Sequence, residues 1–261
     1  MKIFVCIKQV PAVSTLAIDE ETGVLLRGGT AAKMNPYDLY ALEAALRLRE
    51  EHGGSVTVGS MGPPQAEAVI CEAFRMGADA GFLCSDRRLA GADVLATSYT
   101  LAQAIQRAGD FDLILCGKQT TDGDTAQVGP SIAEHMNLPH AAWVVKLTAQ
   151  EHGIWVEQQL QETMETVFLP FPCLITVEQN LYTPRLPSIA REREVCAKPI
   201  PIWGPDDFPD KNGAHYGLDG SATRVERIFS PESNAEHELW EDDAADRLYD
   251  WLKKQKFLME G

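Results

Sequence analysis

The residues able to do chemistry in this 261-residue chain gather in one stretch. Between Gly117 and Gly129 stand Lys118, Gln119, Thr120, Thr121, Asp122, Asp124, Thr125 and Gln127, spaced by Gly123, Ala126 and Val128. Hydroxyls and an amide at this density offer neutral hydrogen bonds, Lys118 offers a cation, and the glycines let the backbone approach a ligand. That set suits the phosphates and sugar of a nucleotide. The usual phosphate signatures are missing, because Gly117-Lys118 is followed by Gln119 and no G-x-G-x-x-G follows a strand. Asp122-Gly123-Asp124 lacks the ligand ladder and closing glutamate of a calcium loop, so no metal is expected.

Side-chain catalysis has no candidate. His52, His135, His140, His152, His215 and His237 are scattered, no Gly-x-Ser-x-Gly elbow occurs, and no carboxylate pair is framed by apolar residues. Any chemistry would then belong to a bound cofactor. The six cysteines, Cys6, Cys71, Cys84, Cys116, Cys173 and Cys196, are widely spaced without C-x-x-C and read as buried, reduced thiols of a cytoplasmic protein.

The loop is placed by what surrounds it. Leu113 to Cys116 is an apolar run that reads as a strand buried on both faces, and Ser131 to Asn137 reads as a helix, so the polar loop leaves a strand and enters a helix start. Ile3 to Ile7, Ser55 to Gly59 and Ala80 to Cys84 are further strands, alternating with helices that begin at Asn35-Pro36, at Pro63-Pro64 and near Ala92. In the last of these, Leu95, Ala96, Tyr99, Ala102 and Ile105 fall at helical spacing and form an inward stripe. Asn35 is expected to cap the first helix, with Pro36 in its first turn and Asp38 facing its positive end. Units of about 30 residues of this kind require crossovers and a mostly parallel sheet. In such sheets ligands sit beyond the carboxyl ends of the strands, where Cys6, Asn35, Tyr37, Asp38 and Met61 would join the loop on one rim.

After residue 140 the pattern changes. Trp143 to Leu147, Ile154 to Leu160 and Met164 to Leu169 alternate as an antiparallel ribbon would, before Cys173 to Val177 returns as a buried strand. Residues 12–34 are Gly-rich, with a short hairpin expected around Glu21-Thr22-Gly23, and 181–189 form a Pro-rich exposed loop with two apolar residues lacking a core. The expected fold is thus α/β, a Rossmann-like open, mostly parallel sheet with an antiparallel ribbon and an extended C-terminal arm. The expected domains are a nucleotide-binding domain over 1–190 and an arm with a terminal helix over 191–261 that wraps a partner.

The net charge is −15, and Asp206 to Asp250 holds 13 acidic against 4 basic residues. A surface of that sign keeps the protein in solution and disfavours nucleic acid. No apolar run approaches a membrane span.

Several motifs together carry a family likeness. Val5-Cys6-Ile7-Lys8-Gln9-Val10, Lys33-Met34-Asn35-Pro36, Ser60-Met61-Gly62-Pro63, Met76-Gly77-Ala78-Asp79, Gly117-Lys118-Gln119 with Asp122 to Gln127, and Thr183-Pro184-Arg185-Leu186-Pro187 resemble, in order, the small (beta) subunit of electron transfer flavoproteins. The resemblance implies a heterodimer with an alpha subunit and a nucleotide site at Cys6, Asn35, Tyr37, Asp38, Met61 and Gly117 to Val128. It implies AMP there in the respiratory branch. The loop Thr121 to Pro130 looks like the branch that binds a second FAD and splits the electrons of NADH between ferredoxin or flavodoxin and an acyl-CoA dehydrogenase-type partner. In this likeness Leu186, Pro187 and Ile189 belong to the partner-recognition loop, while Arg191-Glu192-Arg193-Glu194 replaces a lysine-rich run. A nucleotide-binding sensor or scaffold of the universal-stress type is the alternative from another class, and it has no need of that loop or arm.

Overall fold

The computed structural model describes residues 1–12, 32–195, 198–226, 239–240 and 242–257. A first compact unit spans Met1–Glu226 and a second spans Arg227–Gly261. In the first, β1 (Lys2–Cys6) is followed by β2 (Gln9–Pro11), β3 (Ala32–Met34), α1 (Pro36–His52), β4 (Ser55–Met61), α2 (Glu67–Met76), β5 (Ala80–Cys84) and α3 (Val94–Ala108). Then come β6 (Leu113–Gly117), α4 (Val128–His135), β7 (His140–Ala149), β8 (Gly153–Gln159), β9 (Met164–Pro170), β10 (Cys173–Val177), α5 (Ile189–Val195) and β11 (Ile202–Trp203).

Nine strands make one sheet in the order β11-β5-β4-β1-β6-β10-β7-β8-β9. From β11 to β7 the neighbours are parallel, and β8 and β9 turn back as an antiparallel ribbon. The expected α/β sheet and its ribbon are therefore what the chain forms. The two-residue period of the strands divides the core in two. Ile3, Val5, Val56, Val58, Leu113 and Leu115 pack under α1 and α2 on one face, against Leu42, Leu46, Ile70 and Phe74. Phe4, Phe82, Ile114 and Leu174 pack on the other against Leu101 and Ile105 of α3 and Ile132 of α4.

Three readings shift. Helix α4 starts at Val128, not Ser131, with Gln127 at its cap. Pro130 falls in the first turn, where its missing N–H would have had no helical partner. Gly129 explains the earlier start, because a Cβ there would lie 2.5 Å from Thr176 Cγ2, and only a glycine brings the helix this close to β10. In α3, Leu95 falls on the inward stripe by spacing but is exposed at 46%, while Asp93 caps the helix by accepting from Ala96 N–H at 3.1 Å.

The third concerns the segment after α5. The first compact unit runs past residue 190 to Glu226. Strand β11 joins the sheet edge beside β5, with Leu83 N–H donating to the Pro201 carbonyl and Ser85 N–H to the Trp203 carbonyl, each at 2.9 Å. Trp203 stacks on Phe82 with ring centroids 4.3 Å apart, and Phe208 and Tyr216 are buried. This stretch has no core of its own, and it completes the second face of the sheet by lending three aromatic rings.

Strands β2 and β3 pair antiparallel and bracket residues 13–31, so the hairpin expected at Glu21-Thr22-Gly23 lies outside the described residues. The second unit contains α6 (Ala244–Lys254), on which Leu248, Tyr249 and Trp251 are exposed. Among the described residues no helix is long and apolar enough to cross a membrane.

Candidate functional site

The sheet order reverses at β1. The chain lays β4 and β5 on one side of it, then returns to place β6 and β10 on the other. Such a reversal, outside the carboxyl ends of the strands, is the usual ligand position in a doubly wound sheet, and here the exits of β1 and β6 meet at a rim. The β1 exit carries Ile7 and Lys8, the β6 exit carries Gly117 to Gln127, and the start of α1 closes the gap.

One asparagine fastens these parts together. Asn35 occupies the cap position of α1, yet its side chain makes no capping bond to the helix backbone, which corrects the expected role. Its Nδ2 donates to Asp38 Oδ1 at 2.9 Å and to the Gln119 carbonyl at 2.8 Å, and its Oδ1 accepts from Thr121 N–H at 3.3 Å. Asn35 is fully buried, and it gives this reach to a partner 84 residues away because the loop carbonyl and N–H need a buried partner. Asp38 is buried beside it and accepts from Lys8 N–H at 2.8 Å. Burial pushes the Asp38 carboxyl up to about 7, against the opposing bonds from Asn35, Lys8 and the Gly117 backbone. Gly117 must lack a side chain here, since a Cβ would sit 2.5 Å from Asp38 Oδ1 and 2.7 Å from the Tyr37 carbonyl carbon.

Beyond Gln119 the loop turns outward. Thr121 to Thr125 and Gln127 are exposed, so their hydroxyls and amide are open to a ligand. Asp124 and Ala126 take left-handed backbone angles, φ 51° and 55°, which cost a residue with a side chain roughly 1 kcal/mol or more. Gly123 does not take that conformation, and the nearest atom to a Cβ placed there is Thr120 Oγ1 at 3.5 Å. A side chain there would make only an ordinary contact with Thr120.

The two lysines of the rim differ from the sequence reading. Lys118 is turned to the neighbouring strand end, where it pairs with Glu178 at 2.5 Å and lies 4.8 Å over the Trp143 ring. Lys8 instead reaches the loop, donating to both oxygens of Asp122 at 2.8 Å. Cys6 and Met61, at the carboxyl ends of β1 and β4, pack partly buried against the core on the α3–α4 face of the sheet. The Cys6 thiol bonds to Cys116, and that bond together with burial raises its pKa well above the ordinary thiol value, so it stays protonated.

Leu186, Pro187 and Ile189 lie on a separate structure. Leu186 and Ile189 are 87% and 84% exposed, and Ile189 opens α5. The loop is held from behind by Arg185, whose backbone N–H and Nε donate to Glu43 Oε2 at 3.1 and 2.8 Å and whose Nη1 donates to Glu50 at 2.5 Å. Glu43 is buried, which alone would raise its pKa, but the bonds from Arg185 and Arg47 outweigh that and hold it below the usual carboxylate value. The clamp had a legible signal, because Glu43 interrupts the apolar stripe Leu39, Leu42, Leu46 and a carboxylate there must find a cation. Arg185→Ala should cost about 2 kcal/mol of stability, measured by urea unfolding, because the buried Glu43 then loses the side-chain donor on its Oε2 and keeps only Arg47 as a side-chain donor, on Oε1. A loss under about 0.5 kcal/mol would show that the clamp is an ordinary surface pair.

The fold defines a class, the open α/β proteins with a doubly wound parallel sheet whose strand order reverses at one point. The electron transfer flavoprotein domain matches residues 22–207. Over 261 residues the chain is 38% identical to the electron transfer flavoprotein subunit beta of Clostridium acetobutylicum, covering 99% of this chain and 100% of that one. It is 40% identical over 243 residues to the protein FixA of Azorhizobium caulinodans, covering 90% and 86%. It is also 40% identical over 240 residues to the caffeyl-CoA reductase-Etf complex subunit CarD of Acetobacterium woodii, covering 92% and 91%. The chain belongs to the electron transfer flavoprotein family.

Proposed function

We propose that this chain is the beta subunit of an electron transfer flavoprotein, and that its switch-point crevice holds the adenosine and phosphates of an FAD. The observation that carries the reading is the Asn35 junction, which binds the start of α1 to the Gln119–Thr121 backbone and makes a rim before any ligand arrives. The residues fit such a group. Thr120, Thr121, Thr125 and Gln127 supply neutral donors and acceptors, the first amides of α4 have no helical partners, and Gly123 leaves space for a ligand longer than AMP. Cys6, Tyr37 and Met61 wall the crevice, and Lys118 and Asp124 shape the loop that carries those donors.

When bound, the flavin supplies the redox chemistry and the polypeptide holds and orients it. Electrons pass from NADH, in a bifurcating complex, to ferredoxin or flavodoxin and to an acyl-CoA dehydrogenase-type partner. The names of the relatives support a complex, since one is the subunit of a caffeyl-CoA reductase-Etf assembly. The alpha subunit completes the heterodimer, which works in the cytoplasm, and the terminal arm with the exposed Leu248, Tyr249 and Trp251 of α6 wraps that subunit.

The heterodimer purified with its alpha subunit should release about two FAD rather than about one FAD plus AMP. Recovery of AMP in place of the second flavin would assign the chain to the non-bifurcating branch, and recovery of no nucleotide would refute the crevice as a cofactor site. Leu186→Ala should slow electron delivery to the acyl-CoA dehydrogenase-type partner about tenfold while flavin content stays the same, as removal of an apolar anchor does. Unchanged delivery would move the recognition surface elsewhere.

A further inference from the structure

The loop that fences the crevice is a poor host for an anion as it stands. Asp122 and Asp124 are exposed on it, while the lysine that its sequence offers, Lys118, is taken up by Glu178 and the Trp143 ring. The cation that does reach the loop comes from another element. Lys8 is fixed at its backbone, its N–H bonded to Asp38 and its carbonyl accepting from Asn35 N–H at 2.8 Å, so the side chain starts from the floor of the rim. It ends on Asp122, a partly exposed pair with side chains 41% and 31% accessible.

Resting on the nucleotide reading above, we propose that Lys8 is the phosphate-binding cation of the crevice and that its ion pair with Asp122 is a latch the nucleotide must exchange. A pair this exposed contributes little and opens readily. A phosphate offers the ammonium a more highly charged acceptor, and the loop amides then share the same anion. The Asp122 carboxylate plays the opposing part. Paired, it covers Lys8, and once Lys8 has turned to phosphate, it stands free beside the anion and weakens its binding. Asp122 thereby sets the affinity without touching adenosine, and the crevice selects for phosphorylated over unphosphorylated nucleosides.

The test uses the nucleotide-stripped heterodimer, titrated with AMP and with adenosine. Lys8→Met should weaken AMP about tenfold and leave adenosine unchanged, the loss expected for one charge-assisted bond. Asp122→Asn should tighten AMP about threefold, and Lys8→Arg should recover most of the wild-type affinity, which separates loss of charge from a folding defect. Salt should weaken AMP binding to wild type more steeply than to Lys8→Met. Equal AMP affinities in wild type, Lys8→Met and Asp122→Asn would overturn the role of Lys8 while the crevice remained a nucleotide site. A wild type that binds neither AMP nor FAD would instead remove the reading on which it rests.

Discussion

Asn35→Ala should cut nucleotide affinity about a hundredfold and destabilise the fold by about 3 kcal/mol, the largest effect of any single truncation at the rim. Alanine deletes three hydrogen bonds at once, from Asn35 Nδ2 to Asp38 and to the Gln119 carbonyl and from Thr121 N–H to Asn35 Oδ1. These partners lie on the start of α1 and on the loop after β6, and Asn35 is fully buried, so water cannot replace the lost bonds without opening the structure. Each group left unsatisfied costs about 1–3 kcal/mol, and the loop then samples positions in which its donors no longer converge. Urea unfolding reads the first effect, and titration of the stripped heterodimer with FAD reads the second. Wild-type affinity in a destabilised variant would mean that the loop is positioned by Lys8–Asp122 or by α4 instead.

Asp38 should make stability fall with rising pH across an unusual range. Its carboxyl moves from an ordinary 3.8 to about 7 in the folded chain, chiefly through burial. Between about pH 4 and 7 the native state therefore keeps a proton that the unfolded chain has released, so unfolding becomes easier as pH rises. Each pH unit crossed in that window removes about 1.4 kcal/mol, so the whole contribution amounts to roughly 4 kcal/mol at most. Asp38→Asn is neutral at every pH and keeps one acceptor for Lys8 N–H, so its stability should lack this slope. Glu43 and Asp122, both held below the ordinary carboxylate value, add a slope of the opposite sign, which cancels when the two proteins are compared at each pH. Urea unfolding at about pH 4.5, 6 and 7.5 samples the window in which the two states differ in bound protons, and parallel curves for wild type and Asp38→Asn would show that Asp38 is charged throughout.

Local pattern was enough to find the elements that build the crevice. Leu113 to Cys116, Cys173 to Val177 and the strand beginning at Ile3 are apolar runs buried on both faces, and the polar segment after Cys116 has nowhere to go except the rim. Contacts between distant segments were not legible in the same way. An Asn-Pro-x-Asp sequence has the form of a helix cap, and the choice Asn35 makes between its own helix and Gln119 depends on how closely Gly117 lets α1 approach β6. The two lysines were separated by strand register. Gly117 pairs with Val177, so Lys118 stands beside Glu178, a neighbour 60 residues away in sequence. The start of α4 was hidden by Gly129-Pro130, which looks like a helix break and is instead a close contact with Thr176 followed by a tolerated proline. Trp203, Phe208 and Tyr216 stand singly among prolines and acidic residues with no period to betray them, yet they close the second face of the sheet. The absence of a phosphate motif had a physical counterpart as well, because the rim gets its order from Asn35 and its cation from Lys8, both outside the loop.

If the carboxyl rim around β1 and β6 grips a nucleotide, loading must quiet the backbone of that rim. Hydrogen–deuterium exchange on the heterodimer, stripped and then reloaded with FAD, tests it most directly. Exchange should slow on reloading in 117–128, in 35–38 and at Lys8, with the loop 181–189 unchanged. Protection confined to other segments, with the rim exchanging equally in both states, would contradict it.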